Sequence, residues 1–283
     1  MSKFFNETQK ANQWAQQKVA SQDLDVRQML DNLKHGPEPT ATEVADVPRN
    51  QARKVHLSNS KGVPLILRQE DFTRAALEAY RGLRTQLMRI QAKSGLRSIA
   101  ITSSQPSEGK TLTVVNLGLC YAQLPNQRTL IIDADLRKYG LSQLLDSPSG
   151  PGLSEVLTGQ ATPGEAILAT DQENLFVLPA GSVSAPPPPE LFSGPRWPEF
   201  LSWCSEAFKV VLVDTPPILP LTDFDLINAA CDGVLMVVRA HHARRETLQK
   251  TAGALDAKKF LGIVFNGVNG GVKNYYGYGE SSR

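Results

Sequence analysis

The segment 103–111 contains residue types that bind phosphate. They are a glycine followed directly by a lysine and a hydroxyl residue. Its residues are Ser103-Ser104-Gln105-Pro106-Ser107-Glu108-Gly109-Lys110-Thr111. In such a segment the backbone N–H groups and a helix N-terminus bind the β-phosphate, the lysine contacts β- and γ-oxygens, and the hydroxyl is a ligand of Mg²⁺. The segment matches a P-loop and predicts that Mg-ATP is bound by Pro106, Ser107, Glu108, Gly109, Lys110, Thr111 and Leu112.

Ser104 departs from the general P-loop pattern, in which a glycine occupies this position. A residue with a Cβ atom is penalised at positive φ, whereas glycine is not. We therefore expect a negative φ at Ser104.

Three acidic residues follow two apolar runs. Asp133 comes directly after residues 130–132 and Asp135 two positions later, and Asp214 follows residues 210–213. Carboxylates at the ends of parallel strands meet at one edge of the sheet. Mg²⁺ takes one or two carboxylates together with phosphate oxygens and water. We expect Thr111, Asp133 and Asp214 to form the magnesium site, with some of these contacts made through water.

The same residues suggest phosphoryl transfer, with Lys110, Asp133, Asp135 and Asp214 as catalytic residues. One carboxylate of the 133/135 pair can organise the metal while the other accepts a proton from the attacking hydroxyl. The sequence does not show which of the two carboxylates organises the metal and which accepts the proton. Arg137 either stabilises charge on the transferred phosphoryl group or forms a surface ion pair. Asn266 either hydrogen-bonds the nucleotide base or ends a strand in a turn.

The elements that position these residues alternate between strand and helix patterns. Continuous apolar runs predict strands at 98–102, 129–132, 175–178, 210–213, 234–238 and 263–265. Helix patterns occupy 70–93, 110–124, 198–207, 224–231 and 245–257. Strands that are apolar on both faces indicate a mostly parallel sheet with helices on both sides, an α/β fold of the P-loop NTPase class. The proline-rich stretch 185–189 is expected to be an extended loop.

Composition supports one α/β domain with appendages. The chain has 283 residues, 41% of them hydrophobic, and a net charge of +2. No basic run suggests a nucleic-acid partner, and no apolar run approaches the length of a membrane helix. Three separated cysteines in apolar segments indicate buried, reduced thiols. We expect a polar region at 1–69 with a short helix and linker or disordered chain, a nucleotide-binding domain at 70–268, and a flexible tail at 269–283.

Taken together, these motifs resemble the bacterial tyrosine kinases (BY-kinases) of capsule and exopolysaccharide synthesis, of the CpsD/CapB type. That family has a Pro-x-Glu-Gly-Lys-Ser/Thr loop, an Asp-x-Asp motif after three apolar residues, and an Asp-x-Pro-Pro motif. Segments 106–111, 130–135 and 211–217 match them in order. The family also has a Glu-x-x-Arg-x-x-Arg element for ring assembly between subunits. Glu78, Arg81 and Arg84 match that element.

The resemblance implies a MinD/ParA-like fold and a cytoplasmic, ATP- and Mg²⁺-dependent tyrosine autokinase that regulates polysaccharide assembly and export. The expected acceptors are Tyr275, Tyr276 and Tyr278 in the tail of a neighbouring subunit. The resemblance further implies a ring-shaped homo-oligomer. Its activator would be a membrane protein of the polysaccharide chain-length regulator type, which recruits the kinase to the inner face of the membrane.

Two alternatives remain open at this point. A MinD/ParA-type ATPase shares the fold but usually has an additional lysine early in the P-loop, where this chain has Gln105. A nucleotide-binding regulatory subunit with vestigial kinase activity is consistent with the short cluster of tail tyrosines.

Overall fold

One sheet of eight strands runs through the part of the chain that the computed structural model describes, residues 54–57, 65, 74–182, 186–218 and 222–267. The strands are β1 (Lys54–Val55), β2 (Ser98–Ser103), β3 (Thr129–Asp133), β4 (Leu168–Thr170), β5 (Leu175–Leu178), β6 (Val210–Asp214), β7 (Gly233–Arg239) and β8 (Phe260–Asn266).

The strand order is β1-β4-β5-β3-β6-β2-β7-β8. Strands β4 and β5 pair antiparallel, and every other neighbouring pair in the described sheet is parallel. The three strands that precede the predicted phosphate and acidic motifs, β3, β6 and β2, are direct neighbours near the middle of the sheet. Their carboxyl ends therefore lie side by side at one edge.

Helices cover both faces of the sheet. They are α1 (Arg74–Ser94), α2 (Lys110–Ala122), α3 (Gly140–Leu144), α4 (Leu153–Thr158), α5 (Pro163–Ala166), α6 (Pro188–Phe192), α7 (Arg196–Ala207), α8 (Asp223–Ala230) and α9 (Arg245–Gly253). Helices α1 to α3 pack on one face and α4 to α9 on the other. None of the helices within the described ranges is long and apolar enough to cross a lipid bilayer.

Each central strand is buried on both faces because its successive side chains enter two different cores. In β3, Ile131 packs with α2 on one face, and Leu130 and Ile132 pack with the opposite layer. All three side chains have no exposed surface. This arrangement explains why the strand sequences are continuously apolar and confirms the predicted parallel α/β sheet.

The six predicted strands and the predicted helices are present in the described residues, with ends shifted by a few positions. Strands β1 and β4 were not predicted. β1 lies within the region 1–69, where Val55, Leu57 and Leu65 are buried in the core. The rest of that region, the first residues of the predicted helix 70–93, and the tail from residue 268 lie outside the described residues.

The prediction of an extended loop throughout residues 185–189 was wrong at its end. Pro188 and Pro189 occupy the first two positions of α6. The first helical turn does not use its N–H groups for bonds within the helix, so proline is tolerated there and its fixed φ favours the helix start.

Candidate active site

The P-loop connects β2 to α2 and is closed by one of its own side chains. Glu108 is fully buried, and its Oε2 accepts hydrogen bonds from Ser104 Oγ and from the Gln105 backbone N–H, both at 2.8 Å. Ser104 does not have a positive φ, as expected, whereas Ser107 and Gly109 have φ values of 65° and 87°. The serine at position 104 thus replaces the usual glycine without backbone strain and contributes a bond within the loop.

Asn266, at the end of β8, supports the P-loop from the side. Its Nδ2 donates to the Glu108 carbonyl oxygen at 3.0 Å. A Cβ atom built on Gly109 would lie 1.9 Å from that Nδ2. Glycine at 109 is therefore required both by its φ and by the close approach of Asn266. The predicted contact of Asn266 with a nucleotide base stays a prediction.

Lys110 and Thr111 begin α2 and both contact Asp214 at the end of β6. The Lys110 ammonium lies 2.5 Å from Asp214 Oδ1 and 3.9 Å from Asp135 Oδ2. Thr111 Oγ1 donates to Asp214 Oδ2 at 2.7 Å. Burial raises the pKa of Asp214, and the neighbouring Lys110 charge opposes that effect. The structure thus brings the predicted lysine, hydroxyl and carboxylates together.

Asp133, at the end of β3, pairs in register with Asp214 on the neighbouring strand. Its Oδ2 accepts from the Ser142 backbone N–H at 2.9 Å and from Ser142 Oγ at 2.7 Å. Its Oδ1 is buried without a hydrogen-bond partner among the described residues. Burial raises the pKa of Asp133 to about 7. The Asp214 charge acts in the same direction, and the Ser142 bonds and Lys110 oppose it.

Arg137 is held by a residue that the sequence analysis did not identify. Its Nε and Nη2 donate to the two carboxylate oxygens of Asp223, at 2.5 and 3.0 Å. This bidentate geometry fixes the guanidinium plane, while the Arg137 side chain remains 42% exposed. The ion-pair alternative is thus realised, and a role for Arg137 in phosphoryl transfer stays a prediction.

Ser142 is a second residue that the sequence analysis missed. It lies on α3, whose first residue, Gly140, packs against Thr111: a Cβ atom on Gly140 would be 3.4 Å from Thr111 Oγ1. Isolated serine and aspartate residues such as Ser142 and Asp223 have no motif around them that marks a site. The two aspartate motifs, in contrast, were recognisable because they end apolar strands.

Other predicted residues lie outside this cluster. Pro106 and Ser107 are exposed at the tip of the P-loop, and Leu112 is half-buried on α2. Glu78 and Arg81 form an exposed ion pair on α1 at 2.8 Å. Arg84 on the same helix instead donates to the Cys120 carbonyl oxygen at 2.6 Å. The tail tyrosines Tyr275, Tyr276 and Tyr278 are outside the described residues.

Comparison with known proteins identifies the family. The chain is 34% identical over 212 residues to the tyrosine-protein kinase CpsD of Streptococcus pneumoniae, covering 74% of this chain and 92% of that protein. It is 31% identical over 207 residues to the putative tyrosine-protein kinase CapB of Staphylococcus aureus, covering 72% and 90%. The chain belongs to the bacterial tyrosine kinase family. No protein-family model matches it.

Solved structures agree with membership of the bacterial tyrosine kinase family. The kinase domain of the Escherichia coli tyrosine kinase ETK superposes with a TM-score of 0.65 at 30% identity, covering 72% of this chain and 80% of that one. The septum site-determining protein MinD of Pyrococcus horikoshii, solved with Mg-ADP, superposes with a TM-score of 0.50 at 25% identity, covering 60% and 68%. Both predicted relationships, to bacterial tyrosine kinases and to a MinD-like P-loop fold, are confirmed.

Proposed function

We propose that this chain transfers the γ-phosphoryl group of ATP to protein tyrosine hydroxyls. The proposal rests on five residues that converge at the carboxyl ends of three adjacent strands. They are Lys110, Thr111, Asp133, Asp135 and Asp214. Phosphoryl transfer depends mainly on positioning and on charge stabilisation, and these residues supply a cation, a hydroxyl and several carboxylates for it. The family's named tyrosine kinases support the same reaction.

The residues of this site fit a bound magnesium ion. The described residues contain no cluster of three or more His, Cys, Asp or Glu side chains that would form a complete protein cage. A magnesium ion that shares its coordination with phosphate oxygens and water needs only a hydroxyl and one or two carboxylates. Thr111 and Asp214 supply such oxygens, and the unpartnered Asp133 Oδ1 supplies another. When bound, the ion would neutralise charge on the phosphates.

The hydrogen bonds distinguish the three carboxylates. Both oxygens of Asp214 are engaged by Lys110 and Thr111, and Asp133 Oδ2 is engaged by Ser142. Asp135 makes a longer ion-pair contact of 3.9 Å to Lys110. Asp135 is therefore the candidate to accept the proton of the attacking tyrosine hydroxyl, while Asp133 and Asp214 would hold a bound magnesium ion. Lys110 provides the positive charge for the phosphate oxygens.

The tail supplies the candidate acceptors. Tyr275, Tyr276 and Tyr278 follow the end of β8 within about a dozen residues in the sequence. A flexible segment of about ten residues has a root-mean-square reach of roughly 17 Å, which is sufficient for transfer between touching subunits. Each phosphate would add nearly two negative charges to the tail. Clustered charge of this kind would weaken docking of the tail and make the reaction self-limiting.

The biological role follows from the family. We propose regulation of capsule or exopolysaccharide assembly and export by a cytoplasmic kinase in a homo-oligomeric ring, with Glu78, Arg81 and Arg84 at the subunit interface. The activator would be a membrane protein of the chain-length regulator type that recruits the kinase to the membrane.

Mixing two variants that cannot label their own tails tests transfer between subunits. Lys110→Met has an intact tail without the phosphate-binding lysine. A variant with Tyr275, Tyr276 and Tyr278 changed to Phe has an intact site without the acceptors. We expect phosphotyrosine on the Lys110→Met chains when the two are mixed with Mg-ATP and a cytoplasmic activator segment. A wild-type protein that labels itself while the mixture stays unlabelled would contradict transfer between subunits.

A further inference from the structure

Ser142 connects the acidic site to the end of a neighbouring strand through three hydrogen bonds. Its N–H and its Oγ both donate to Asp133 Oδ2, at 2.9 and 2.7 Å. The Ala180 backbone N–H, just beyond β5, donates to the same Ser142 Oγ at 3.0 Å. The hydroxyl hydrogen is thus directed to Asp133 because the oxygen accepts from Ala180.

The segment that contains Ala180 is itself fixed by α4. The Ala180 carbonyl oxygen accepts from the Ser154 N–H at 3.0 Å, and the preceding Pro179 carbonyl accepts from the Leu153 N–H at 2.8 Å. The Ser142 hydroxyl, which belongs to α3, is therefore hydrogen-bonded to a segment whose backbone is fixed by α4. Such support preserves the geometry of a side chain that must be pre-organised.

Because of these bonds, the two carboxylate oxygens of Asp133 differ in their hydrogen bonding. Oδ2 is fixed by Ser142, whereas Oδ1 is buried and unpartnered among the described residues. Gly140, two residues before Ser142, lies against Thr111. Helix α3 thus orients one proposed magnesium ligand and contacts another.

We propose that Ser142 is a positioning residue that holds the Asp133 carboxylate in the orientation required to bind magnesium with the nucleotide. This assignment rests on the proposed function of the site. Replacing Ser142 with Ala keeps the backbone N–H bond to Asp133, removes the Oγ bond, and leaves the Ala180 N–H without its acceptor. Partners that orient metal ligands commonly affect metal affinity by about tenfold or more.

Titration with a fluorescent ADP analogue, in Mg²⁺ and in excess EDTA, separates the magnesium-dependent part of binding from the rest. We expect Ser142→Ala to weaken binding in Mg²⁺ by about tenfold. Binding in EDTA should be unchanged. Ser142→Thr, which retains the hydroxyl, should restore most of the affinity. Ser147→Ala is the matched control, because the Ser147 Oγ is buried without a hydrogen-bond partner in the described chain; that variant should bind as the wild type does.

Two results for Ser142→Ala would overturn the assignment. One is wild-type affinity in Mg²⁺. The other is an equal loss of affinity in Mg²⁺ and in EDTA together with a lower melting temperature, which would make Ser142 a structural residue. Mg²⁺-independent binding by the wild type would instead refute the proposed magnesium site, and no binding by the wild type would refute the proposed nucleotide site; either result would remove the basis of this assignment.

Discussion

Asp133 shows that the acidic site is built at a cost in stability. The residue is fully buried, and its Oδ1 has no hydrogen-bond partner among the described residues. Burial and the neighbouring Asp214 charge raise the pKa of Asp133 to about 7, whereas an unfolded chain has an aspartate pKa of about 3.9. The folded state therefore disfavours ionised Asp133, which binding of a cation would offset.

Asp133→Asn should stabilise the free protein in a pH-dependent way. Below pH 4 the carboxyl group is protonated in both states, so it makes little difference to the free energy of unfolding. Between about pH 4 and 7 the unfolded state releases the proton first, and the wild type loses stability as pH rises. We expect the variant to gain a few kcal/mol relative to wild type at pH 8 and much less at pH 4, in urea unfolding without nucleotide or Mg²⁺.

The exposed Asp146 provides the control for this measurement. It has a φ of 46°, which asparagine also tolerates, so Asp146→Asn should change stability little at either pH. An equal gain for Asp133→Asn at pH 4 and pH 8 would show that ionisation of Asp133 is not the cause.

At the scale of the element, the P-loop depends on one glycine. Gly109→Ala places a Cβ atom at a φ of 87° and 1.9 Å from Asn266 Nδ2, so the asparagine must leave the Glu108 carbonyl. We expect a loss of about 1–3 kcal/mol in unfolding free energy and at least a tenfold loss in ATP affinity, measured by urea unfolding and nucleotide titration. In Gly82→Ala, on α1, the new Cβ meets nothing within 4 Å, and it should be neutral or slightly stabilising. Wild-type ATP affinity in Gly109→Ala would contradict this account of the loop.

Two of the arginines of helix α1, Arg81 and Arg84, are expected to affect stability differently. Arg84 donates to the Cys120 carbonyl on α2, so Arg84→Ala should cost about 1–2 kcal/mol in unfolding free energy. Arg81 forms an exposed pair with Glu78, so Arg81→Ala should change stability by less than about 1 kcal/mol. If α1 is a subunit interface, Arg81→Ala should still lower the oligomeric mass seen by analytical ultracentrifugation. Unchanged assembly in Arg81→Ala would argue against a role for Arg81 at the interface.

The sequence was sufficient to predict those strands and helices that have a recognisable pattern of apolar residues within the element itself. Central strands such as β3 and β6 are buried on both faces and are therefore continuously apolar. Strands β1 and β4 contain two and three residues, and their pairing of Lys54 with Ala169 depends on contacts far apart in the chain. No local pattern reveals such strands.

The same distinction applies to the site. Lys110, Thr111 and the three aspartates were predictable because they belong to recognisable motifs at the start of a helix or at, or just beyond, the end of a strand. The bonds from Ser142 to Asp133 and from Arg137 to Asp223 depend on how α3 and α8 pack. Asp223 lies 86 positions after Arg137, so spacing alone cannot connect them.

For the whole molecule, the order of strands explains why dispersed motifs form one site. Strands β3, β6 and β2 are neighbours, so residues that are about 100 positions apart, such as Thr111 and Asp214, come within 2.7 Å. Membership of the bacterial tyrosine kinase family then gives this site its proposed substrate, a tyrosine hydroxyl. Transfer to a neighbouring chain would connect the catalytic edge to assembly through α1.

Mapping of phosphotyrosine by mass spectrometry after incubation with Mg-ATP and a candidate activator segment would show whether the chain phosphorylates the tyrosines of its tail. Wild type, Lys110→Met and the exposed-lysine control Lys250→Met should be compared. We expect phosphate on Tyr275, Tyr276 or Tyr278 in wild type and in Lys250→Met, and none in Lys110→Met. ATP turnover without phosphotyrosine, or equal labelling in Lys110→Met, would contradict a tyrosine kinase site built around Lys110.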